Sequence, residues 1–296
     1  MSHPYMPLSP CGPDCLDGGE PTVGRARAVG RLAAAIGVLL GAFLVVPLLS
    51  LIGWRGREFA ARTVFRGLLR AFGVRLTVTG SLPRSDGRGV LVVTNHISWL
   101  DVAALNAVRP MRAMAKTDVR AWPVLGSLIA RAGTVFLDRE SLRKLPGAVA
   151  ELARVLRAGS MIYVCPEGTT WCGRGMGRFR PALFQSAIDA GVPVRPVALR
   201  YHLADGRETP APAFIGDETL IDSMMRVVRL RGLHVDLRVG DEIAPGRAAD
   251  RRALAALTEA AMNTALGLRV TIPAPRTVWT SSALESARWT GDHDRT

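Results

Sequence analysis

Apolar and polar positions recur with different periods along this 296-residue chain, and each change of period marks an expected part. Residues 1–24 show no period and collect prolines, glycines and acidic residues, so they are expected to form a disordered tail. Leu32 to Trp54 is a run of 23 residues without a formal charge, LAAAIGVLLGAFLVVPLLSLIGW. As a helix it would reach about 34 Å, enough to cross the hydrocarbon core of a bilayer. All its faces are apolar, which favours lipid over a place in a protein core. Pro47 would kink it, and a helix that dips in and returns is the alternative to a span. The run lies too far from Met1 to read as a signal peptide.

Arg55, Arg62, Arg66 and Arg70 then fall near one helical face, with Phe65, Leu68, Leu69 and Phe72 on another. A basic amphipathic helix of this kind suits the headgroup layer of anionic lipid, and its apolar side can also pack on a globular domain. Residues 25–73 are therefore expected to be membrane-anchoring helices.

Over residues 74–267 the texture is α/β. Strands are predicted at RLTVTG (75–80), VLVVTN (90–95), RAMAK (112–116), TVFLD (134–138), SMIYVCP (160–166), VRPVALRY (194–201) and LHVDLRVG (233–240). VLVVTN is apolar enough to be buried on both faces. Helices are predicted at DVAALNAV (101–108), VRAWPVLGSLIARAG (119–133), LRKLPGAVAELARVLRAG (142–159), RPALFQSAIDAG (180–191) and RRALAALTEAAMNTALG (251–267). Gly191 sits where a helix C-cap belongs. A polar, proline-containing stretch, 202–222, is left without an element, and residues 268–296 read as a flexible tail. Strands alternating with helices predict one α/β domain, a mixed sheet flanked by helices.

Composition changes this picture in two ways. The formal charge of +13 points to an anionic partner: a membrane surface, a nucleic acid or a phosphorylated substrate. Lys116 and Lys144 are the lysines among 38 basic residues, a bias toward arginine that GC-rich coding also produces. No recognisable nucleic-acid module accompanies the charge, and the apolar run argues for lipid, so no nucleic-acid partner is expected. The four cysteines, Cys11, Cys15, Cys165 and Cys172, form no CxxC pair; no metal site is expected, and a reducing compartment fits.

Chemistry gathers at strand ends. Thr94-Asn95-His96-Ile97-Ser98-Trp99-Leu100-Asp101 follows a buried strand and leads into a helix. Across such a turn a carboxylate can hold one imidazole nitrogen and leave the other to take a proton. That is the base half of a triad, whose nucleophile can be a hydroxyl on the substrate. For HxxxxD alone, a satisfied core histidine and a helix-capping aspartate would explain as much. Three further clusters shift the balance. Gly133-Thr134-Val135-Phe136-Leu137-Asp138-Arg139 closes a strand with an acid and an arginine. Cys165-Pro166-Glu167-Gly168-Thr169-Thr170 follows another, in a turn able to present backbone N–H groups to an oxyanion or phosphate. Val192-Pro193-Val194-Arg195-Pro196-Val197 opens a third.

In this order the four clusters resemble the motifs of the glycerolipid acyltransferases of the 1-acylglycerol-3-phosphate acyltransferase type: NHxxxxD, GxxFIxR, FPEGTRS and VP[IV]xPV. The resemblance covers about residues 75–200. It implies an enzyme that takes a fatty acyl group from a thioester donor, acyl-CoA or acyl carrier protein, to the free hydroxyl of 1-acylglycerol-3-phosphate, giving phosphatidate. His96 would be general base and Asp101 its orienting partner. Asn95, Lys116, Arg139, Glu167, Gly168, Thr169, Arg178 and Arg180 would contact substrate, and no cofactor or metal is implied. The expected location is the cell membrane, in contact with its lipid, with the catalytic domain on the cytoplasmic side.

One departure matters. Where the family continues E-G-T-R-S, this chain reads Glu167-Gly168-Thr169-Thr170-Trp171, and Cys165 replaces the preceding phenylalanine. Either Arg174, Arg178 or Arg180 replaces the missing arginine as a phosphate contact, or the acceptor lacks that phosphate, as in lyso-ornithine lipid. Two other classes compete. A non-catalytic basic membrane-binding protein would show no thioester-dependent turnover, and a hydrolase is disfavoured by the lack of a G-x-S-x-G elbow.

Overall fold

A computed structural model describes residues 9–45, 53–83, 87–121, 126, 130, 133–138, 141–215 and 218–268. Its centre is a seven-stranded mixed sheet of β1 (Arg75–Thr79), β2 (Val90–Thr94), β3 (Arg112–Lys116), β4 (Val135–Leu137), β5 (Met161–Val164), β6 (Val194–His202) and β7 (His234–Val239). The strand order is β1-β7-β6-β2-β5-β3-β4. Neighbours run parallel except β6 and β7, which pair antiparallel from Val197↔Val239 to His202↔His234.

β2 lies in the middle and is buried at every position, as its unbroken apolar run requires. Its alternate residues serve two cores, in keeping with the two-residue period of a strand. Val90 and Val92 face a layer with α2 (Trp54–Ala71), α3 (Leu100–Val108) and α6 (Leu220–Arg229). Leu91 and Val93 face the opposite layer, with α4 (Leu145–Arg157), α5 (Gln185–Ala190) and α7 (Arg251–Leu266). Gly191, at φ +63°, ends α5 in the left-handed conformation that glycine adopts without penalty.

The helix α6 lies in a stretch to which the sequence pattern assigned nothing. A capping box forms it: Thr219 Oγ1 accepts the Asp222 N–H at 3.2 Å, and the Asp222 carboxylate accepts the Thr219 N–H at 3.0 Å. Of the predicted helix over 119–133, Gly126 and Ala130 are helical and a 3-10 turn at Thr117–Ala121 opens the segment; most of the rest lies outside the described residues.

Two expectations for the N-terminal third need correction. The uncharged run 32–54 does not form one helix of its own. α1 spans Arg25–Val45, and Trp54 opens α2 behind an N-terminal Gly53; residues 46–52, Pro47 among them, lie outside the described residues. α1 starts early because Arg31 anchors its first turns, donating to the carbonyls of Val228 (2.9 Å) and Leu230 (2.6 Å) at the end of α6. α1 remains long and apolar enough to cross a membrane, with Leu39, Leu40, Phe43 and Leu44 exposed.

The second correction concerns residues 9–24, expected to be loose. They are fastened to the domain. Arg231 N–H donates to the Pro21 carbonyl and Val23 N–H to that of Arg229, both at 2.8 Å. Ser9 Oγ donates to the Thr170 carbonyl at 2.8 Å, and Arg174 pairs with Asp17. Backbone and sulfur contacts of this kind leave no hydrophobic period to read. Residues 1–8 and 269–296 lie outside the described residues.

Candidate active site

β2 ends at Thr94, and the chain turns across residues 95–99 before α3 begins. Asp101, in the first turn of α3, is the anchor of that turn. Its Oδ2 accepts the backbone N–H groups of Ile97 (2.8 Å) and Ser98 (2.9 Å) and lies 2.9 Å from Nδ1 of His96. An ionised carboxylate only accepts, so Nδ1 carries the proton and Nε2 presents its lone pair. Asp101 is 1% exposed while the His96 side chain is 25% exposed, so the orienting group is dry and the reactive ring reaches the surface. The other carboxylate oxygen, Oδ1, accepts the phenol of Tyr201 from β6 at 2.7 Å. Burial and the neighbouring Asp101 charge push the Tyr201 phenol well above its ordinary range, which keeps it protonated and donating.

The peptide of His96 is held at both ends. Its N–H donates to Oε2 of Glu167 at 2.7 Å, and its carbonyl accepts the Trp171 N–H at 2.8 Å. Glu167 also takes the Gly177 N–H on Oε1 at 2.9 Å. Burial in this pocket pushes its carboxyl well above the usual carboxylate range, against the opposing pull of those two N–H donors. The Ile97 carbonyl accepts from Phe214 N–H at 3.0 Å, so the loop after β6 closes the turn from the far side.

The sequence-expected substrate contacts divide on inspection. Asn95 and Glu167, each 4% exposed, are engaged with backbone: Asn95 Nδ2 donates to the Leu199 carbonyl at 3.0 Å, and its Oδ1 accepts the Leu199 N–H at 2.8 Å. Both therefore shape the His96 turn in this structure. Gly168 takes a positive φ of 79° as the turn after β5 folds back on the Cys165 carbonyl, and Thr169 beside it is half-buried. Lys116 ends β3 and pairs with Asp118. Arg178 and Arg180 are exposed on the segment beyond the third cluster. Arg139 lies outside the described residues, and the adjoining Asp138 pairs with Lys144 at 2.8 Å.

Thr170, at the position of the family's arginine, turns its hydroxyl onto the Phe214 carbonyl at 2.9 Å. Trp171 beside it is 3% exposed, a core residue closing the floor of the loop. Tyr201 was not picked out from the sequence. Its strand was expected, but the contact with Asp101 bridges 100 residues and depends on β6 lying next to β2.

A His–Asp pair on a strand end, with no side-chain nucleophile hydrogen-bonded to it among the described residues, is an arrangement able to serve an acceptor that brings its own hydroxyl. Comparison with known proteins specifies the class. Residues 75–200 match the family model named Acyltransferase. The chain is 39% identical over 179 residues to a 1-acyl-sn-glycerol-3-phosphate acyltransferase of Neisseria meningitidis serogroup B, covering 60% of this chain and 69% of that protein. It is 35% identical over 212 residues to a lyso-ornithine lipid O-acyltransferase of Pseudomonas aeruginosa, covering 71% of this chain and 79% of that one. In fold it matches the crystal structure of the 1-acyl-sn-glycerophosphate acyltransferase PlsC from Thermotoga maritima, with a TM-score of 0.58 at 22% identity over 81% of this chain and 96% of that chain. The chain belongs to the acyltransferase family and is an enzyme of the 1-acylglycerol-3-phosphate acyltransferase type.

Proposed function

We propose that this enzyme transfers a fatty acyl group from acyl-CoA or acyl-acyl carrier protein to the free hydroxyl of 1-acylglycerol-3-phosphate, with His96 as general base. The observation that carries the reading is the 2.9 Å contact between His96 Nδ1 and buried Asp101, which turns Nε2 toward the open side of the turn. Nε2 takes the hydroxyl proton as that oxygen attacks the thioester carbonyl. The tetrahedral intermediate collapses with cleavage of the C–S bond, and the departing thiolate takes the proton back from the imidazolium. Asp101 holds the tautomer and stabilises the transient cation.

The reaction would run at the cell membrane, with α1 and α2 in contact with its lipid and the catalytic domain on the cytoplasmic side. Exposed apolar residues along both helices, including Leu44 and Phe59, support the contact with lipid. Arg139, Arg178 and Arg180 are the proposed phosphate contacts.

A second reading has its own observation. With Thr170 tied to Phe214 in place of an arginine, the third cluster offers one cation fewer, which favours a phosphate-free acceptor such as lyso-ornithine lipid. Kinetics with labelled acyl-CoA and acyl carrier protein donors, on lysophosphatidate and lyso-ornithine lipid side by side, decide between them. A strong preference for the phosphate-free lipid overturns the first acceptor and leaves the His96 chemistry standing. Turnover of neither lipid overturns both.

A further inference from the structure

Three cysteines that are scattered in the sequence meet beneath the catalytic turn. The sulfurs of Cys11, Cys15 and Cys172 all lie within 4.8 Å of one another. Cys11 and Cys172 are buried and Cys15 is half-buried. Two of them come from one short turn: Gly12 precedes a 3-10 helix, Pro13–Cys15, and the Cys15 N–H closes it on the Gly12 carbonyl at 2.9 Å. The third comes from the loop after Glu167. Its backbone N–H donates to the sulfur of Cys11 at 3.1 Å, the contact by which peptide groups support a coordinating thiolate.

We propose that Cys11, Cys15 and Cys172 bind one thiophilic divalent cation, zinc by preference, which fastens the N-terminal segment to the loop supporting His96. Tetrahedral thiolate coordination at a Zn–S distance of about 2.3 Å sets sulfurs about 3.8 Å apart, compatible with this cluster. Cys11 and Cys15 are separated by three residues, within the C-x2–4-C range of zinc knuckles. Each thiol gives its proton to solvent as the metal binds, and water takes the fourth position. This departs from the expectation of no metal, which judged the four cysteines by CxxC spacing and so did not bring Cys172 beside Cys11 and Cys15. Borderline-soft zinc suits an all-sulfur set better than magnesium or calcium, which take oxygen. A disulfide between two of these sulfurs is the competing account, and thiol counting separates the two.

The site bears on the enzyme through position. Cys172 follows Trp171, whose N–H holds the His96 carbonyl, and the cluster is flanked by the Ser9–Thr170 and Asp17–Arg174 contacts. The metal would join these two segments into one unit. Cys165, not a member of the cluster, is the internal control.

The test uses the full-length protein purified in detergent without chelator, with metal measured by plasma mass spectrometry and Co²⁺ titrated into apo-protein. The expected result is one zinc per chain, retained by Cys165→Ser and reduced at least fivefold in each of Cys11→Ser, Cys15→Ser and Cys172→Ser. Cobalt should produce thiolate-to-metal charge-transfer absorption that saturates at one equivalent. The wild-type titration stands even where a variant fails to fold. The proposal is overturned if wild-type protein binds neither zinc nor cobalt, if Cys165→Ser loses the metal as the others do, or if thiol counting under denaturing, non-reducing conditions finds two cluster thiols missing as a disulfide.

Discussion

The Tyr201 phenol, carried on β6, donates to the one oxygen of Asp101 that neither His96 nor the turn backbone uses. With it, both oxygens of a carboxylate that is 1% exposed are occupied by donors from two distant parts of the chain. Tyr201 is thus a positioning residue, acting through Asp101. Tyr201→Phe should lower kcat about 10-fold, the equivalent of about 1.4 kcal/mol for one charge-assisted hydrogen bond, and leave the acceptor KM within about twofold. Steady-state kinetics in mixed micelles check the split; a rise in KM at unchanged kcat would mean that the phenol touches substrate instead.

The pair itself has a steeper expectation. His96→Ala should lose activity by about 10³-fold or more, and Asp101→Asn should be severely impaired because the ring loses its acceptor. Single-turnover assays on folded, detergent-purified variants are the measurement. Retention by His96→Ala of more than about a tenth of the wild-type rate would remove it from the general-base role.

Glu167 gives a pH prediction with a definite sign. Burial raises its folded-state pKa above the 4.5 of an exposed glutamate, so above that pH the native state holds a proton that the unfolded chain has released. Its contribution to stability is therefore fully present below about pH 4.5 and is lost as pH rises through the folded value. Glu167→Gln keeps a neutral group but surrenders one of two N–H acceptors, a cost of about 1–3 kcal/mol. Denaturant melts from about pH 4.5 to about pH 8 should show that cost shrinking with pH. A cost that grows instead would mean an ionised, stabilising carboxylate.

Acceptor choice can be pushed at one residue. Thr170→Arg restores the family's cation and should shift the lysophosphatidate to lyso-ornithine ratio of kcat/KM about 10-fold toward the phosphate lipid. Arg139→Ala should shift it the other way by about 10–100-fold. Competition between the two lipids reads both; ratios unmoved by either change would place the phosphate elsewhere.

Membrane binding should be a property of the whole chain. The full protein is expected to float with anionic vesicles. Removal of residues 1–72 should give aggregate and no soluble enzyme, since it strips Leu69 and Phe72, at 2% and 1% exposure, from the core. A full-length protein that stays soluble without detergent and ignores vesicles would refute the anchoring role.

Strand and helix assignments were legible wherever the apolar period was strong, as in β2 and in α4, whose Leu152, Val155 and Leu156 repeat at helical spacing. Five residues of local chain bring His96 and Asp101 together, but it was the three further clusters in order that set the pair apart from a core histidine and a helix cap. The rest depended on long-range contact. Tyr201 reaches Asp101 through sheet order, Glu167 reaches the His96 N–H across 71 residues, and residues 9–24 dock through backbone groups and scattered polar and sulfur side chains that carry no period. α6 was announced by Thr219 and Asp222 at capping-box spacing, a signal readable in advance that the helical period alone did not supply.

The two bonds between Asn95 and the Leu199 peptide have a consequence for how a reactive loop can leave a sheet at all. β2 stops pairing with β6 at Thr94↔Val197, and a chain that turns away there would leave the next peptide of β6 facing an empty groove. The carboxamide of Asn95 mimics a peptide unit, setting one of its N–H donors and its oxygen at the right separation, and it serves as an extra rung after the backbone ladder has ended. The departure toward His96 therefore leaves no orphaned Leu199 group in the middle of the fold. Aspartate, nearly the same in shape, could not stand there, since its carboxylate would set lone pairs against the Leu199 carbonyl.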